Sequence, residues 1–276
     1  MIVNGKAITA ELLKEVREKV ATLPHVPVVR AITVAPSPAT MSYLRIKQKK
    51  AQEAGMILET VTLQEDVGTD EVIHAVLIEG ADAVIVQLPL PESLDVEAVL
   101  ESIPLAKDAD VLSSAAKVLA ETGEGLLSPV VAAVKEILTR SGVPVEGKNV
   151  CVVGKGNLVG RPVAEWLMRQ GASVTVLGKE DTDLTVLKKA DIVILGAGQG
   201  GLVKKEHLRP GVVLIDAGTS ESGGSIVGDA DPACAEVALV FTPVPGGVGP
   251  IAVACLFKNA LDLSLSAGLQ TPEKAV

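Results

Sequence analysis

The spacing of hydrophobic and polar residues predicts alternating helices and strands along the first half of the chain. Leu12, Leu13, Val16 and Val20 recur at helical spacing, and Thr9 is placed to cap that helix. Further on, apolar runs bounded by turn residues predict strands, and helical periodicity fills the segments between them. The predicted strands are 28–34, 57–63 and 83–86, and the predicted helices are 39–54, one that opens at Thr69, and 96–102.

The second half of the chain repeats this alternation. Its predicted helices are 130–139, one that ends at Gln170, and 251–265, and its predicted strands are 149–153, 173–177, 191–195, 212–215 and 238–241. Strands that alternate with helices indicate a parallel sheet with crossover connections. The pattern therefore predicts an α/β fold, and we place a domain boundary near Leu127.

Composition limits the classes of function that this chain can serve. With 276 residues it can form one large or two modest domains, and two Phe, one Trp and one Tyr leave an aliphatic core. A net charge of −9 argues against nucleic acid as a partner. Three widely spaced cysteines fit the reducing cytoplasm and indicate no metal site. We identify no signal peptide and no uninterrupted apolar run long enough for a membrane helix.

Two glycine-rich turns lie where α/β proteins bind ligands. The stretch 242–250, TPVPGGVGP, follows a predicted strand and precedes a long apolar helix. Gly154-Lys155-Gly156-Asn157-Leu158-Val159-Gly160 likewise follows a strand and opens a helix. Glycines permit close approach of a pyrophosphate, and the helix N-terminus offers free N–H groups. An ordinary βα turn is the alternative, but strand, turn and helix together favour a Rossmann-type nucleotide site.

These motifs resemble those of the bifunctional methylenetetrahydrofolate dehydrogenase/cyclohydrolase family. TPVPGGVGP is similar to the family's signature, and Tyr43 with Lys47, the run 86–91 (VQLPLP) and the run 107–110 (KDAD) match in the same order. The resemblance implies a folate-binding catalytic domain, 1–127, joined by a C-terminal helix, 250–276. A Rossmann-type NAD(P)-binding domain, 128–249, would face it across a cleft. The resemblance also implies a homodimer.

The resemblance assigns roles to residues of the first domain. Tyr43 stacks on the folate, Lys47 is the central catalytic residue, and Gln87 orients Lys47. Tyr43 and Lys47 are four residues apart on a predicted helix and share a face. Asp110 binds the pterin ring, whereas Asp108 is a structural cap or ion pair. The glycine that the family has after Asp110 is Val111 in this chain. Pro245, Gly246 and Gly249 shape the wall between folate and nicotinamide.

The cofactor residues depart from the family's pattern. Gly154, Lys155, Gly156, Asn157, Gly160 and Ser128 are the expected cofactor contacts, together with Lys179. The family has Arg-Ser where this chain has Lys155-Gly156, and it ends the next strand in His-Ser where this chain has Gly178-Lys179. Lys155 and Lys179 can replace the usual contacts to the 2′-phosphate of NADP. Alternatively, Glu180 or Asp181 can bind a ribose 2′-hydroxyl, which favours NAD. We expect NADP, with NAD as the alternative.

The resemblance implies oxidation of 5,10-methylenetetrahydrofolate with NADP and hydrolysis of the methenyl product to 10-formyltetrahydrofolate. Retention of one activity is the nearest alternative, and the departures in the cofactor turn then favour a surviving cyclohydrolase. A folate- or nucleotide-binding protein without turnover is another. A dehydrogenase of the shikimate or amino-acid type would share the nucleotide domain, but it would lack the Tyr43, Lys47 and Gln87 motifs.

Overall fold

The computed structural model describes residues 1–222 and 224–270, which form two compact units. The five-stranded unit comprises Met1–Thr9 and Val130–Ala252, and the three-stranded unit comprises Ala10–Pro129 and residues 253–270. The expected first domain, 1–127, differs from the three-stranded unit at its start, because the first nine residues belong to the other unit. Positions 271–276 of the expected C-terminal helix lie outside the described residues.

Helices and strands alternate along most of the described chain. The helices are α1 (Gly5–Val20), α2 (Pro38–Glu53), α3 (Thr69–Leu77), α4 (Val96–Glu101), α5 (Ser114–Thr122), α6 (Pro129–Arg140), α7 (Gly160–Arg169) and α8 (Val248–Gln270). The strands are β1 (Val28–Val34), β2 (Ile57–Leu63), β3 (Ala83–Val86), β4 (Asn149–Val153), β5 (Ser173–Leu177), β6 (Ile192–Leu195), β7 (Val212–Asp216), β8 (Ser220–Ser222), β9 (Ser225–Val227) and β10 (Ala238–Phe241). The predicted α/β class is confirmed.

The three-stranded unit is built on a parallel sheet in the order β2-β1-β3. The central strand β1 is almost entirely buried, which explains its continuous apolar sequence. Its one charged residue, Arg30, bonds Glu59 on β2 at 3.0 Å and the carbonyl oxygen of Glu79 at 3.2 Å. A buried guanidinium requires such partners, because an unpaired charge in the core is costly. Val86 of β3 leads directly into Gln87 at the carboxyl end of the sheet.

The main sheet of the five-stranded unit has the order β10-β7-β6-β4-β5, and each of its strands is parallel to its neighbours. The chain passes from β4 to β5 on one side and then crosses to β6 on the other. This reversal is the topological switch point, where open α/β sheets bind ligands at the carboxyl ends of their strands. The Rossmann-type prediction is confirmed, and the turn that begins at Gly154 lies at this point.

The N-terminal residues extend the five-stranded sheet beyond β10. The amide of Val3 donates to the carbonyl oxygen of Phe241 at 2.8 Å, and the amide of Phe241 donates to that of Met1 at 2.9 Å. Ile2 therefore forms a parallel bridge with Phe241. This pairing explains why the start of the chain belongs to the five-stranded unit.

Several boundaries differ from those that the sequence predicted. The first helix begins at Gly5, so Thr9 is not its cap; its hydroxyl donates within the helix to the carbonyl oxygen of Gly5 at 2.7 Å. Helix α8 begins at Val248, and the last three residues of TPVPGGVGP form its first turn. The sequence analysis missed α5 and the antiparallel hairpin of β8 and β9, which are short elements.

Helix α8 is long and apolar. Among the described residues, Val248–Ala267 is the one helix with the length and hydropathy of a membrane span. However, 56% of its apolar window is buried inside the protein, and a core helix passes the same test. Phe257 and Ala260 are fully buried in this helix. The helix is therefore weak evidence for a membrane segment.

Candidate functional site

Helix α2 carries the first pair of expected site residues. Ser37 caps the helix by accepting a hydrogen bond from the amide of Thr40 at 3.1 Å, and Pro38 follows as the first helical residue. Leu44 is buried and fixes the inner face of the helix. Tyr43, which is 42% exposed, and Lys47, which is half-buried, lie one turn apart. The tyrosine ring is thus available for stacking beside the lysine.

The structure brings Lys47 and Gln87 together, although 40 residues separate them. Lys47 Nζ donates to Gln87 Oε1 at 2.9 Å. On its other side, Gln87 Nε2 donates to the carbonyl oxygen of Leu88 at 3.0 Å. Because the lysine ammonium can only donate, the amide oxygen is the atom of Gln87 that faces it. Gln87 therefore holds the Lys47 ammonium in one position, as a positioning residue would.

Asp110 is the third expected site residue of the three-stranded unit. Burial raises the pKa of Asp110; the positive charge of Lys47 opposes that rise, and the negative charge of Asp108 adds to it. The bridge between Val84 and Asp108 places the segment that carries Asp110 beside β3, the strand that leads into Gln87. The structure thus groups the expected catalytic and pterin-binding residues, Lys47, Gln87 and Asp110, within the three-stranded unit.

The backbone around Asp110 is anchored by groups on both sides. The buried Asp108 carboxylate accepts from the amides of Leu112 and Ser113, at 3.0 and 2.8 Å, and from the Ser113 hydroxyl at 2.7 Å. Asp108 is thus a structural residue at the start of α5. On α8, the amide nitrogen of Asn259 donates to the carbonyl oxygens of Ala109 and Leu127, at 2.9 Å each. Sequence analysis missed Asn259; its signal was a polar residue within an apolar helix.

Val111 adopts the conformation that the expected glycine would have. Its φ is 59°, in the left-handed region that β-branched residues rarely enter. The side chain is nevertheless buried, with 4% exposure. The turn after Asp110 is therefore kept in this chain despite the change from glycine to valine, and Asp108 anchors it from the following amides.

In the five-stranded unit, the turn after β4 is packed too closely for a side chain at either of its end positions, Gly154 and Gly160. A Cβ added to Gly160 would lie 1.9 Å from the carbonyl oxygen of Gly154. One added to Gly154, whose φ is 116°, would lie 2.4 Å from the carbonyl oxygen of Gly196. The turn therefore holds the start of α7 against the ends of β4 and β6. This close-packed cradle at a helix N-terminus fits the pyrophosphate of a dinucleotide.

Asp229 anchors the neighbouring loop, and the sequence analysis missed it. Its buried carboxylate accepts from the successive amides of Ala197, Gly198 and Gln199, at 2.6, 3.1 and 2.7 Å. These amides follow β6 directly, beside the glycine turn after β4. The only sequence signal was a lone Gly-Asp pair in a segment without periodicity. Asp229 thus fixes one wall of the switch point.

Asp216, at the end of β7, serves a similar structural purpose. Its carboxylate accepts from the amides of Gly218 at 2.9 Å and Ala230 at 2.8 Å. Burial raises the pKa of Asp216 to about 6, since the interior disfavours the charged form. The Thr242 hydroxyl accepts from the Asp216 amide at 2.6 Å, which ties β7 to the beginning of the TPVPGGVGP stretch.

The TPVPGGVGP stretch combines fixed and open glycine positions. A Cβ on Gly247 would lie 2.6 Å from the carbonyl oxygen of Pro243, so packing requires glycine there. By contrast, a Cβ on Gly246 or Gly249 would meet open space. Gly246 has a φ of 106° and its carbonyl oxygen accepts from the amide of Gly5 at 3.0 Å. The backbone at these two positions, next to Pro245, is thus accessible to a ligand.

The remaining expected cofactor residues differ in their surroundings. Lys155 is paired with Glu180 through a short hydrogen bond and lies 3.6 Å from Asp181. Lys179 is exposed beside them, at the end of β5. In the three-stranded unit, the Ser128 hydroxyl is buried and has no hydrogen-bond partner among the described residues, so it has a free donor. Asn157 is exposed in the turn after β4. The described residues contain no cluster of metal ligands.

Two family models match the chain. The model described as "Tetrahydrofolate dehydrogenase/cyclohydrolase, catalytic domain" matches residues 3–110. The model described as "Tetrahydrofolate dehydrogenase/cyclohydrolase, NAD(P)-binding domain" matches residues 128–267. The first contains the Lys47, Gln87 and Asp110 cluster, and the second contains the glycine turn and TPVPGGVGP.

Full-length relatives and solved structures agree with these matches. The chain is 40% identical to the bifunctional protein FolD of Heliobacterium modesticaldum over 97% of both chains. It is 34% identical to that of Thermus thermophilus over 96% of both. Its fold matches FolD from Campylobacter jejuni with a TM-score of 0.93 at 29% identity, covering 97% and 99% of the two chains. It also matches Trypanosoma brucei FolD complexed with NADP cofactor and inhibitor, with a TM-score of 0.91 at 32% identity, covering 98% and 99%.

Proposed function

Because the chain belongs to the tetrahydrofolate dehydrogenase/cyclohydrolase family, we propose that it catalyses two successive steps on a folate one-carbon unit. It oxidises 5,10-methylenetetrahydrofolate to the 5,10-methenyl form with NADP, and it hydrolyses that product to 10-formyltetrahydrofolate. The observation that carries this proposal is the hydrogen bond from Lys47 to Gln87 beside Asp110. A lysine positioned in this way suits a reaction that must move protons.

In the hydrolytic step, the oxygen of water adds to the methenyl carbon. The added water gives up both of its protons as the formyl C=O forms: one is released, and the other goes to N5 as the bond from that carbon to N5 breaks. Lys47 Nζ is the group that relays these protons, and Gln87 Oε1 keeps it directed at the substrate. Asp110 holds the pterin through paired N–H bonds, and the exposed ring of Tyr43 stacks on it.

In the oxidative step, alignment matters more than proton transfer, because the folate nitrogens stabilise the cation that forms. When bound, NADP supplies the acceptor for the hydride that leaves the one-carbon bridge. Gly154, Gly156, Asn157 and Gly160 hold the pyrophosphate at the start of α7, and Lys155 with Lys179 and Ser128 make polar contacts. Pro245, Gly246 and Gly249 admit the ligand close to the backbone.

The test is to incubate the purified protein with 5,10-methylenetetrahydrofolate and NADP, and to follow reduced nicotinamide and 10-formyltetrahydrofolate separately. We expect both products in equal amounts. Formation of neither product, together with failure to open added methenyl substrate, would refute the proposal. Opening of the methenyl substrate without any reduction of NADP or NAD would instead indicate a protein that retains the cyclohydrolase alone.

We also propose that the protein is a cytoplasmic homodimer that pairs through its nucleotide-binding regions and binds neither nucleic acid nor membrane. The family resemblance supports the dimer, the net charge of −9 argues against nucleic acid, and three widely spaced cysteines fit a reducing cytoplasm. Light scattering on the purified protein tests the dimer; a monomeric mass across the working concentration range would contradict it.

A further inference from the structure

Four charged residues lie at the carboxyl ends of β4 and β5, and three of them are joined by ion pairs. Lys155 follows β4, and Lys179, Glu180 and Asp181 follow β5, which pairs with β4 in register. The group holds two positive and two negative charges. Glu180 and Asp181 both lie within ion-pair distance of Lys155. The cation best placed for a 2′-phosphate is therefore already compensated.

The two acidic residues, Glu180 and Asp181, have different hydrogen-bond partners. Asp181 Oδ2 accepts from the amide of Gly178 at 2.7 Å and so belongs to the turn that ends β5. Glu180 Oε1 accepts from Lys155 Nζ. That hydrogen bond raises the pKa of Lys155 and lowers the pKa of Glu180, so both groups are charged at neutral pH. Glu180 is thus the carboxylate that can accept a further hydrogen bond from a ligand while it stays paired with Lys155.

Glycine at position 178 allows Glu180 to fold back over the end of β5. A Cβ at Gly178 would lie 2.4 Å from a carboxylate oxygen of Glu180. In dinucleotide-binding folds, an acidic residue about 20 positions after the glycine turn bonds the ribose 2′-hydroxyl. Glu180 lies at that distance from Gly160 and at the end of the strand next to the turn.

We propose that Glu180 determines the balance between NAD and NADP: its carboxylate binds the ribose 2′-hydroxyl of NAD and competes with the 2′-phosphate of NADP for Lys155. The inference rests on the proposed dehydrogenase function. NADP must displace Glu180 from Lys155 and place a doubly charged phosphate next to two carboxylates. NAD leaves the ion pair intact and gains a hydrogen-bond acceptor. The enzyme therefore uses both nucleotides and discriminates weakly between them.

The test is calorimetric measurement of Kd for NAD and for NADP, without folate, on the full-length protein and three variants. Glu180→Gln removes the competing charge and keeps the size of the side chain. We expect this variant to bind NADP more tightly and NAD more weakly, which shifts the ratio of their Kd values in favour of NADP by about tenfold. Lys155→Gln shifts the ratio toward NAD. Glu206→Gln, an equal charge change at an exposed position between β6 and β7, leaves the ratio within about twofold.

An unchanged ratio in Glu180→Gln, or an equal change for both nucleotides, overturns the inference. The ratio of kcat/KM values for methylenetetrahydrofolate oxidation must move in the same direction as the ratio of Kd values. Failure of the proposed function is a different result, because the unmodified protein would then oxidise the folate with neither nucleotide. The binding ratio would still decide the role of Glu180 in that case.

Discussion

Val111 occupies a turn whose left-handed backbone conformation is unfavourable for valine. A left-handed conformation costs an L-residue about 1–2 kcal/mol, and only glycine avoids that cost. The buried side chain of Val111 offsets it in part through packing. The contacts around the turn next to Asp110, which include those of the Asp108 carboxylate, therefore stabilise the turn. The backbone preference of Val111 itself disfavours it.

Replacement of Val111 by smaller residues separates these two contributions. Val111→Ala loses packing and keeps the strained φ, whereas Val111→Gly loses packing and removes the strain. We expect the glycine variant to be more stable than the alanine variant by about 1 kcal/mol, the reverse of their order at ordinary positions. Urea unfolding of both variants measures this difference. A more stable alanine variant would show that the position carries no strain.

The carboxyl group of Asp216 makes stability depend on pH. Its pKa is raised to about 6 in the folded protein from 3.8, so the folded state favours the protonated form. The stabilisation is thus complete below pH 3.8 and is lost as pH rises through about 6. Relative to Asp216→Asn, the free energy of unfolding of the wild type should fall by about 3 kcal/mol between about pH 4 and about pH 7. Denaturant curves measure this; a difference that is constant with pH would contradict it.

At the scale of elements, the strands were the easiest features to predict. The bounds of β1, β2, β3, β4, β5 and β10 match the predicted ones, because each is a short run of continuous or alternating apolar residues bounded by turn segments. Helix α5 and the hairpin of β8 and β9 could not be found in this way. The hairpin strands are three residues each and mostly polar, and α5 is a short helix whose start is set by the local cap of Ser113 on the Ala116 amide.

The turn between β4 and α7 gives a matched pair of glycine variants. Gly160→Ala would place a Cβ against the Gly154 carbonyl oxygen, whereas a Cβ on Gly156 meets open space at an ordinary φ. We expect Gly160→Ala to destabilise the protein by about 1–3 kcal/mol and Gly156→Ala to change its stability by less than about 0.5 kcal/mol. Chemical unfolding measures both. Equal stability of the two variants would mean that the turn is loosely packed.

At the scale of the whole molecule, the sequence motifs predicted much of the candidate site, but they did not predict the residues that hold its backbone in place. Lys47 and Gln87 were predicted together because their motifs carry the family resemblance, and the structure places them in contact. Asp229, Asn259 and the pairing of Ile2 with Phe241 were not predicted. These contacts join segments far apart in sequence, and single polar residues give no periodic signal of their partners.

The central claim is that Lys47, held by Gln87 beside Asp110, carries the hydrolysis. The most direct measurement is the rate at which 5,10-methenyltetrahydrofolate loses its near-ultraviolet absorbance, without nicotinamide, for the wild type, Lys47→Met and Lys49→Met. Lys49 is an exposed lysine on the same helix and serves as the control. We predict that Lys47→Met lowers the enzymatic rate by about 100-fold or more, while Lys49→Met keeps it. A wild-type rate in the correctly folded Lys47→Met protein would contradict the account.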